Sequence, residues 1–312
     1  MQNEDLVSVI IPTYKRADLL SKCIESILEQ TYKNVQVIVV DDNDPDTEWR
    51  NNTATLMNKY KTDKRVLYVQ HEYNKNGSAA RNTGFRVSEG EFVCFLDDDD
   101  IFLPFKIEKQ VEFLLNNLQY AACCCDYKKE GKEYVLELKT DYSEDILLSN
   151  NTPQTSGIMF RRLAINSIGG FDESYIRHQD YELLLRYFAA GFLMGKVNDI
   201  LYVRERAENS NLPNGKKMEG VKEKFLGQFM QNIELICQRD KQFKKKVFVV
   251  NYFTVLKCYL KDKNFKDAFR ILRKCIKIDA ILFIRELFLM IFSTLRYRYY
   301  RKKAKGGGND EE

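Results

Sequence analysis

Four consecutive carboxylates, Asp97, Asp98, Asp99 and Asp100, follow an apolar run at residues 92–96 and lie just ahead of Pro104. A run apolar at nearly every position is expected of a strand buried on both faces of a sheet. Proline suits a first helical turn, where its missing N–H has no intrahelical partner anyway. In an open parallel sheet the carboxyl end of a central strand opens onto the ligand crevice. Carboxylates crowded there repel one another, which a hard divalent cation shared with substrate phosphates would relieve. A solvated acidic turn is the plainer alternative. Two other apolar runs end in polar groups: residues 6–11 in Pro12, Thr13, Tyr14, Lys15 and Arg16, and residues 35–40 in Asp41 and Asp42. Residues 77–84 are mostly small around Arg81. Small residues let backbone approach a pyrophosphate, and a helix start and a guanidinium both favour negative charge. An ion pair of Arg81 with Glu89 or Glu91 is the local alternative.

Positioning these groups requires a strand before each of them. Residues 6–11, 35–40, 66–70 and 92–96 read as strands. Amphipathic or polar helices separate them, one through Leu20, Ile24 and Ile27 and another through Leu56 and Met57. Strands alternating with helices predict a mostly parallel α/β sheet. After a helix over about 104–117, strands are expected at 120–125 and 133–138, with a turn at 128–132 between them. Residues 155–160 form another apolar segment, Gly169 and Gly170 a tight reversal, 180 onward a helix, and 196–203 a last strand. The Pro and Gly of 209–215 mark a boundary, giving a catalytic domain over 1–210. A helical domain is expected over 211–305 and a disordered tail over 306–312.

Composition narrows the classes. With 44% apolar and 30% charged residues the chain is globular. A net charge of +4 leaves no chain-wide polyanion surface, and no nucleic-acid recognition motif accompanies the local basic run. Residues 1–5 lack the basic region and apolar run of a secretory leader, so a cytoplasmic location is expected. No C-x-x-C pair occurs, and Cys123, Cys124 and Cys125 alternate faces along a strand. They are expected as small buried hydrophobes in a reducing compartment. Two histidines make zinc a poor candidate.

Taken together, VSVIIPTYKR (7–16), VIVVDD (37–42), NGSAARNTGF (76–85), FLDDDD (95–100), GGFDE (169–173) and HQDYELLLR (178–186) carry a resemblance. In order and spacing the set is similar to the motifs of the family 2 glycosyltransferases, enzymes with the GT-A fold. The likeness spans about residues 6–205. It implies inverting transfer from a UDP-sugar to a glycan or lipid-linked glycan acceptor, dependent on Mn²⁺ or Mg²⁺, in bacterial surface polysaccharide synthesis. It implies that Pro12, Thr13 and Tyr14 border the nucleotide, with Lys15 in place of the usual Asn. Asp42 would accept from the uracil N–H, Arg81 would meet the diphosphate, and Asp97 and Asp98 would lie near the ribose and diphosphate. Asp99 would hold the metal and Asp180 would be the catalytic base; Asp100 is expected to be structural. A helix-cap role is the alternative for Thr13 and for Asp180. Two departures stand out. Gln179 replaces the Glu that usually precedes the base, and cannot ionise. Some members complete the metal shell with a His near residue 204, where this chain has Arg204, Glu205 and Arg206; either arginine could hold the diphosphate instead.

Two other functions compete. A sugar nucleotidyltransferase would carry a G-x-G-type phosphate loop after the first strand, and PTYKR is not one. A silent nucleotide-sugar binding module would lack a base, and Asp180 speaks against it. The likeness does not reach the C-terminal third. There residues 259–278 read as helix, turn, helix, and 280–295 (AILFIRELFLMIFSTL) is the most apolar stretch, shorter than the roughly 20 residues of a membrane span. The cationic, aromatic run 296–305 abuts it. Tyrosines at headgroup level and Arg/Lys facing anionic lipid describe an interfacial helix. Peripheral contact of 280–305 with the inner face of the cell membrane is therefore expected; a buried bundle helix with a solvated tail is the alternative.

Overall fold

Aliphatic and β-branched residues on both faces build four parallel strands, and a computed structural model describes how they meet over residues 5–205 and 213–306, with side chains to residue 289. β1 (Val7–Thr13), α1 (Ala17–Leu28), β2 (Val35–Asp41), α2 (Glu48–Met57), β3 (Val66–Gln70), α3 (Gly77–Val87) and β4 (Phe92–Phe95) alternate. The strands pair parallel in the order β3-β2-β1-β4. Val7, Val9 and Ile11 face Leu20, Ile24 and Ile27 of α1 in one core. The other face takes α3 so closely that a Cβ on Gly84 would press into Val40 at 3.2 Å and into Ile10. The bare glycine there is what lets helix and sheet touch.

Beyond β4 the chain builds β5 (Asp100–Phe102), α4 (Lys106–Asn116), β6 (Ala122–Lys129), β7 (Lys132–Tyr134), α5 (Ser143–Leu147), β8 (Met159–Arg161), α6 (Arg162–Ser167), α7 (Gln179–Ala189) and β9 (Met194–Arg204). The sheet continues β4-β8-β6-β9-β5, with β7 beside β6. β8 runs antiparallel to β4 and β6, and β9 antiparallel to β5 but parallel to β6. The parallel core is thus extended by antiparallel strands, which need no crossover helix. Two expected strands shrink. Over 133–138 only β7 pairs, because Asp126 takes the Leu136 N–H at 2.8 Å and draws the chain off the sheet. Over 155–160 a 3-10 turn, Thr155–Gly157, precedes β8. β5 was not anticipated; it carries Asp100 into the sheet opposite Arg204. Cys123, Cys124 and Cys125 are buried and free in β6.

The chain divides into two compact units, Met1–Ile146 with Asn150–Ser210, and Leu147–Ser149 with Asn211–Glu312. The second unit holds α8 (Gly215–Gln228), α9 (Met230–Cys237), α10 (Phe243–Lys261) and α11 (Phe265–Gly306) around Phe225, Val247, Val255 and Ile271. α11 is two helices joined at Asp279, whose backbone is extended (φ −167°, ψ 108°). The Asp279 carboxylate accepts the N–H groups of Ile281 and Leu282, both at 3.1 Å, and so caps the second leg. The tail expected at 306–312 falls outside the described residues beyond its first position.

Candidate active site

Strand register sets the edge on which the site is built. Thr13 ends β1 opposite Asp41 of β2, and Asp41 lies opposite Gln70 of β3. Pro12 lies within β1, opposite Val40. Thr13 is not a helix cap: α1 starts after Arg16, and the Thr13 hydroxyl donates to Asp98 Oδ2 at 2.8 Å. The Tyr14 N–H points at the same oxygen at 3.4 Å. Arg16, not singled out from the sequence, reaches Asp98 at 3.0 Å and Asp99 at 2.8 Å. Burial pushes the Asp98 carboxyl up to about 7 in spite of Arg16 and Thr13. It raises that of Asp99 as well. Lys15 takes a left-handed backbone (φ 62°), steadied by its N–H to Asn43 Oδ1 at 2.9 Å.

Asp42 is occupied by the protein itself. Its Oδ1 accepts the Lys75 N–H at 2.8 Å and faces His71 Nδ1 at 2.7 Å; its Oδ2 accepts the Asn76 N–H at 2.9 Å and the Asn74 amide at 3.0 Å. The carboxylate expected on uracil therefore shapes residues 71–76, the loop that opens α3. Asn76 caps that helix by accepting from the Ser78 and Ala79 N–H groups.

Arg81, one turn into α3, pairs with neither Glu89 nor Glu91. It donates to Asp97 Oδ1 at 2.5 Å and to Gln179 Oε1 at 2.8 Å, and its Nε is buried with no hydrogen-bond partner among the described residues. Asp97 is the most open of the run, with 39% of its side chain exposed. Asp100 is buried in β5 and its carboxyl is pushed well up by burial and by Asp97. Burial opposes the charge of Arg204, but Asp100 and Asp97 outweigh it. Arg206 lies outside the described residues.

His178, at φ 61°, turns the chain into α7, so Asp180 sits inside the first turn and is not its cap; its Oδ1 accepts the Tyr181 N–H at 3.0 Å. Burial raises the Asp180 pKa. Gly169 and Gly170, both at φ +73°, make the reversal that leads there. A cavity of about 320 Å³ is lined by Arg81, Asp97, Gln179, Asp180 and Arg204, with Gln154 and Tyr181 on its wall. Of the expected site residues, Arg81, Asp97 and Asp180 thus meet on one cavity. Thr13, Asp98 and Asp99 form a cluster tied by Arg16, and Asp42 adjoins it through its N–H, donated to the Thr13 carbonyl at 2.9 Å, with its carboxylate bound to the loop at 71–76.

Comparison with known proteins bears on the family and the fold. The chain is similar to the Escherichia coli protein WfaP, a UDP-Glc:alpha-D-GlcNAc-diphosphoundecaprenol beta-1,3-glucosyltransferase, at 28% identity over 62% of this chain and 74% of that one. It is similar along 96% of both lengths to the GalNAc(5)-diNAcBac-PP-undecaprenol beta-1,3-glucosyltransferase of Campylobacter jejuni, at 29% identity. Among solved structures, S. aureus TarS 1-349 in complex with UDP-GlcNAc superposes with a TM-score of 0.59 at 19% identity, covering 71% of this chain and 66% of that one. At that identity the likeness is one of fold, the GT-A arrangement that the motifs implied. The model of glycosyl transferase family 2 matches residues 8–183, over half of the chain, and the chain is a glycosyltransferase belonging to that family.

Proposed function

We propose that the chain transfers a sugar from a UDP-sugar to a hydroxyl of a lipid-linked glycan, with inversion, in bacterial surface polysaccharide synthesis. The observation that supports this is the meeting of Arg81, Asp97 and Asp180 on one cavity, a guanidinium together with a carboxylate whose pKa burial raises. The acceptor hydroxyl gives its proton to Asp180 as its oxygen bonds to the anomeric carbon. The bond from that carbon to the UDP oxygen breaks, and its electron pair leaves with UDP towards Arg81 and Arg204. Gln179, held by Arg81 and by the Tyr175 carbonyl at 3.0 Å, orients the acceptor without competing for the proton. Pro12, Thr13 and Tyr14 border the nucleotide, and Asp42 serves it by fixing the loop at 71–76.

The donor set fits a loosely held Mn²⁺ or Mg²⁺. Among the described residues no group of three or more His, Cys, Asp or Glu could cage an ion. Asp99, with one oxygen on Arg16, keeps another for a cation whose remaining ligands are phosphate and water. Such an ion, when bound, neutralises charge on the departing diphosphate. Peripheral membrane contact belongs to the same reading. In the second leg of α11 Phe283 packs on Phe253, with ring centroids 5.8 Å apart, while Ile281 (80%), Ile284 and Phe288 stand exposed ahead of the basic run at 296–305. Among the described residues no helix is long and apolar enough to cross a membrane. Screening UDP-sugars for hydrolysis with Mn²⁺, with Mg²⁺ and with excess EDTA tests donor and metal together. One UDP-sugar is expected to turn over, and only with metal. No turnover of any of them contradicts the donor, and full activity in EDTA contradicts the metal.

A further inference from the structure

Two of the arginines on the cavity that holds Asp180 are each bonded to a glutamine of the same cavity. Arg81 donates to Gln179 Oε1 at 2.8 Å, and Arg204 donates to Gln154 Oε1 at 3.1 Å. The far end of each amide is anchored on backbone. Gln179 Nε2 donates to the Tyr175 carbonyl and Gln154 Nε2 to the Thr152 carbonyl, both at 3.0 Å. An amide can do both at once, because it accepts at one end and donates at the other. A carboxylate would hold the guanidinium more strongly, but it would turn its second oxygen towards that carbonyl, acceptor against acceptor. Gly77 keeps room for the first bond: a Cβ there would stand 3.1 Å from Arg81 Nη1 and 3.2 Å from Gln179 Oε1.

The choice of amide decides the charge of the pair. Arg81 shares its charge with the carboxylate of Asp97, and a glutamate at 179 would add a second. Asp100, opposite Arg204 in the strand register, has its carboxyl pushed well up by burial, which weakens it as a counter-charge. We propose that Gln154 and Gln179 are positioning residues that aim Arg204 and Arg81 at the donor's diphosphate without neutralising them. A guanidinium binds phosphate through a planar pair of donors, so its plane must be fixed. A carboxylate would fix that plane equally well and would repel the multiply charged anion it serves. An amide fixes the plane and leaves the attraction whole. This role of Gln179 adds to its contact with the acceptor. Gln154 belongs to none of the sequence motifs; it stands just ahead of the 3-10 turn Thr155–Gly157.

The inference rests on the proposed UDP-sugar donor, and the experiment separates the two. UDP and uridine are titrated into the full-length protein in EDTA, so that only the protein's own cations meet the diphosphate. The wild type is expected to prefer UDP. Gln179→Glu and Gln154→Glu should each weaken UDP about tenfold or more and leave uridine within about twofold. Gln179→Met and Gln154→Met remove the brace without adding charge and should weaken UDP less, by about threefold. A Glu variant that binds UDP like wild type overturns the role of that glutamine. A Met variant that loses as much as its Glu counterpart overturns the role of charge. A wild type with no preference for UDP over uridine overturns the donor reading instead.

Discussion

Four identical side chains in a row meet four environments, and chemistry follows from the difference. Asp97 is open and shared with Arg81, Asp98 buried against Thr13 and Arg16, Asp99 half covered beside Arg16, and Asp100 enclosed in β5. The resemblance set Asp100 aside as structural, but the partners of the other three were not legible, being 16 residues away for Asp97 and 82 and 83 away for the bonds from Arg16. Asp180 is the residue on which rate should depend most visibly. A base works only when deprotonated, and burial raises the pKa of this carboxyl. Its protonated fraction therefore grows as pH falls through a value above the ordinary carboxylate, about 3.9. The kcat profile for transfer should show an acid limb above that value. A rate flat down to about pH 4 would show that the limiting proton is taken elsewhere.

At the scale of elements, the segment leading to Asp180 is clamped from both sides. Asn82 of α3 donates to the Phe171 carbonyl at 2.9 Å and accepts its N–H at 2.8 Å, while Arg186 of α7 holds the carbonyls of Ile168 and Gly170. A Cβ on Gly170 would meet Asn82 Oδ1 at 2.6 Å, so the glycine is needed for contact as well as for its backbone. Asn82→Ala leaves two buried backbone groups without partners, a loss of about 1–3 kcal/mol for each. It should lower Tm by several degrees and raise the acceptor KM, with UDP affinity kept. An unchanged acceptor KM would mean that the reversal holds itself. The glycines, the asparagine and the base were each legible in the sequence as pieces of motifs. That they form one clamp was not, because Asn82 and Phe171 are 89 residues apart. Of the four parallel strands β1, β2 and β4 were legible because both faces are buried and nearly every residue is apolar, and the half-buried β3 because its residues are apolar up to Gln70. β5 escaped because three residues behind an acidic run carry no period to read.

At the scale of the molecule, the helical unit has no counterpart in the motifs, and its role must come from its surface. Ile281 and Phe288 are exposed on a helix that leads into residues 296–305, where each Lys or Arg near an anionic surface adds roughly 1 kcal/mol. Binding to anionic liposomes is expected, weakened by salt but not abolished, because screening removes the charge contribution and leaves apolar insertion. Ile281→Ser with Phe288→Ser should remove the salt-resistant part, and liposome binding unaltered by that pair would assign the contact elsewhere. The central claim is that Asp180 is the base of a UDP-sugar transferase, and the most direct measurement is the Asp180→Asn variant assayed for UDP binding and for transfer at saturating acceptor. UDP should bind as in wild type while transfer falls by about 10²–10⁴. Transfer within a few-fold of wild type would contradict the account.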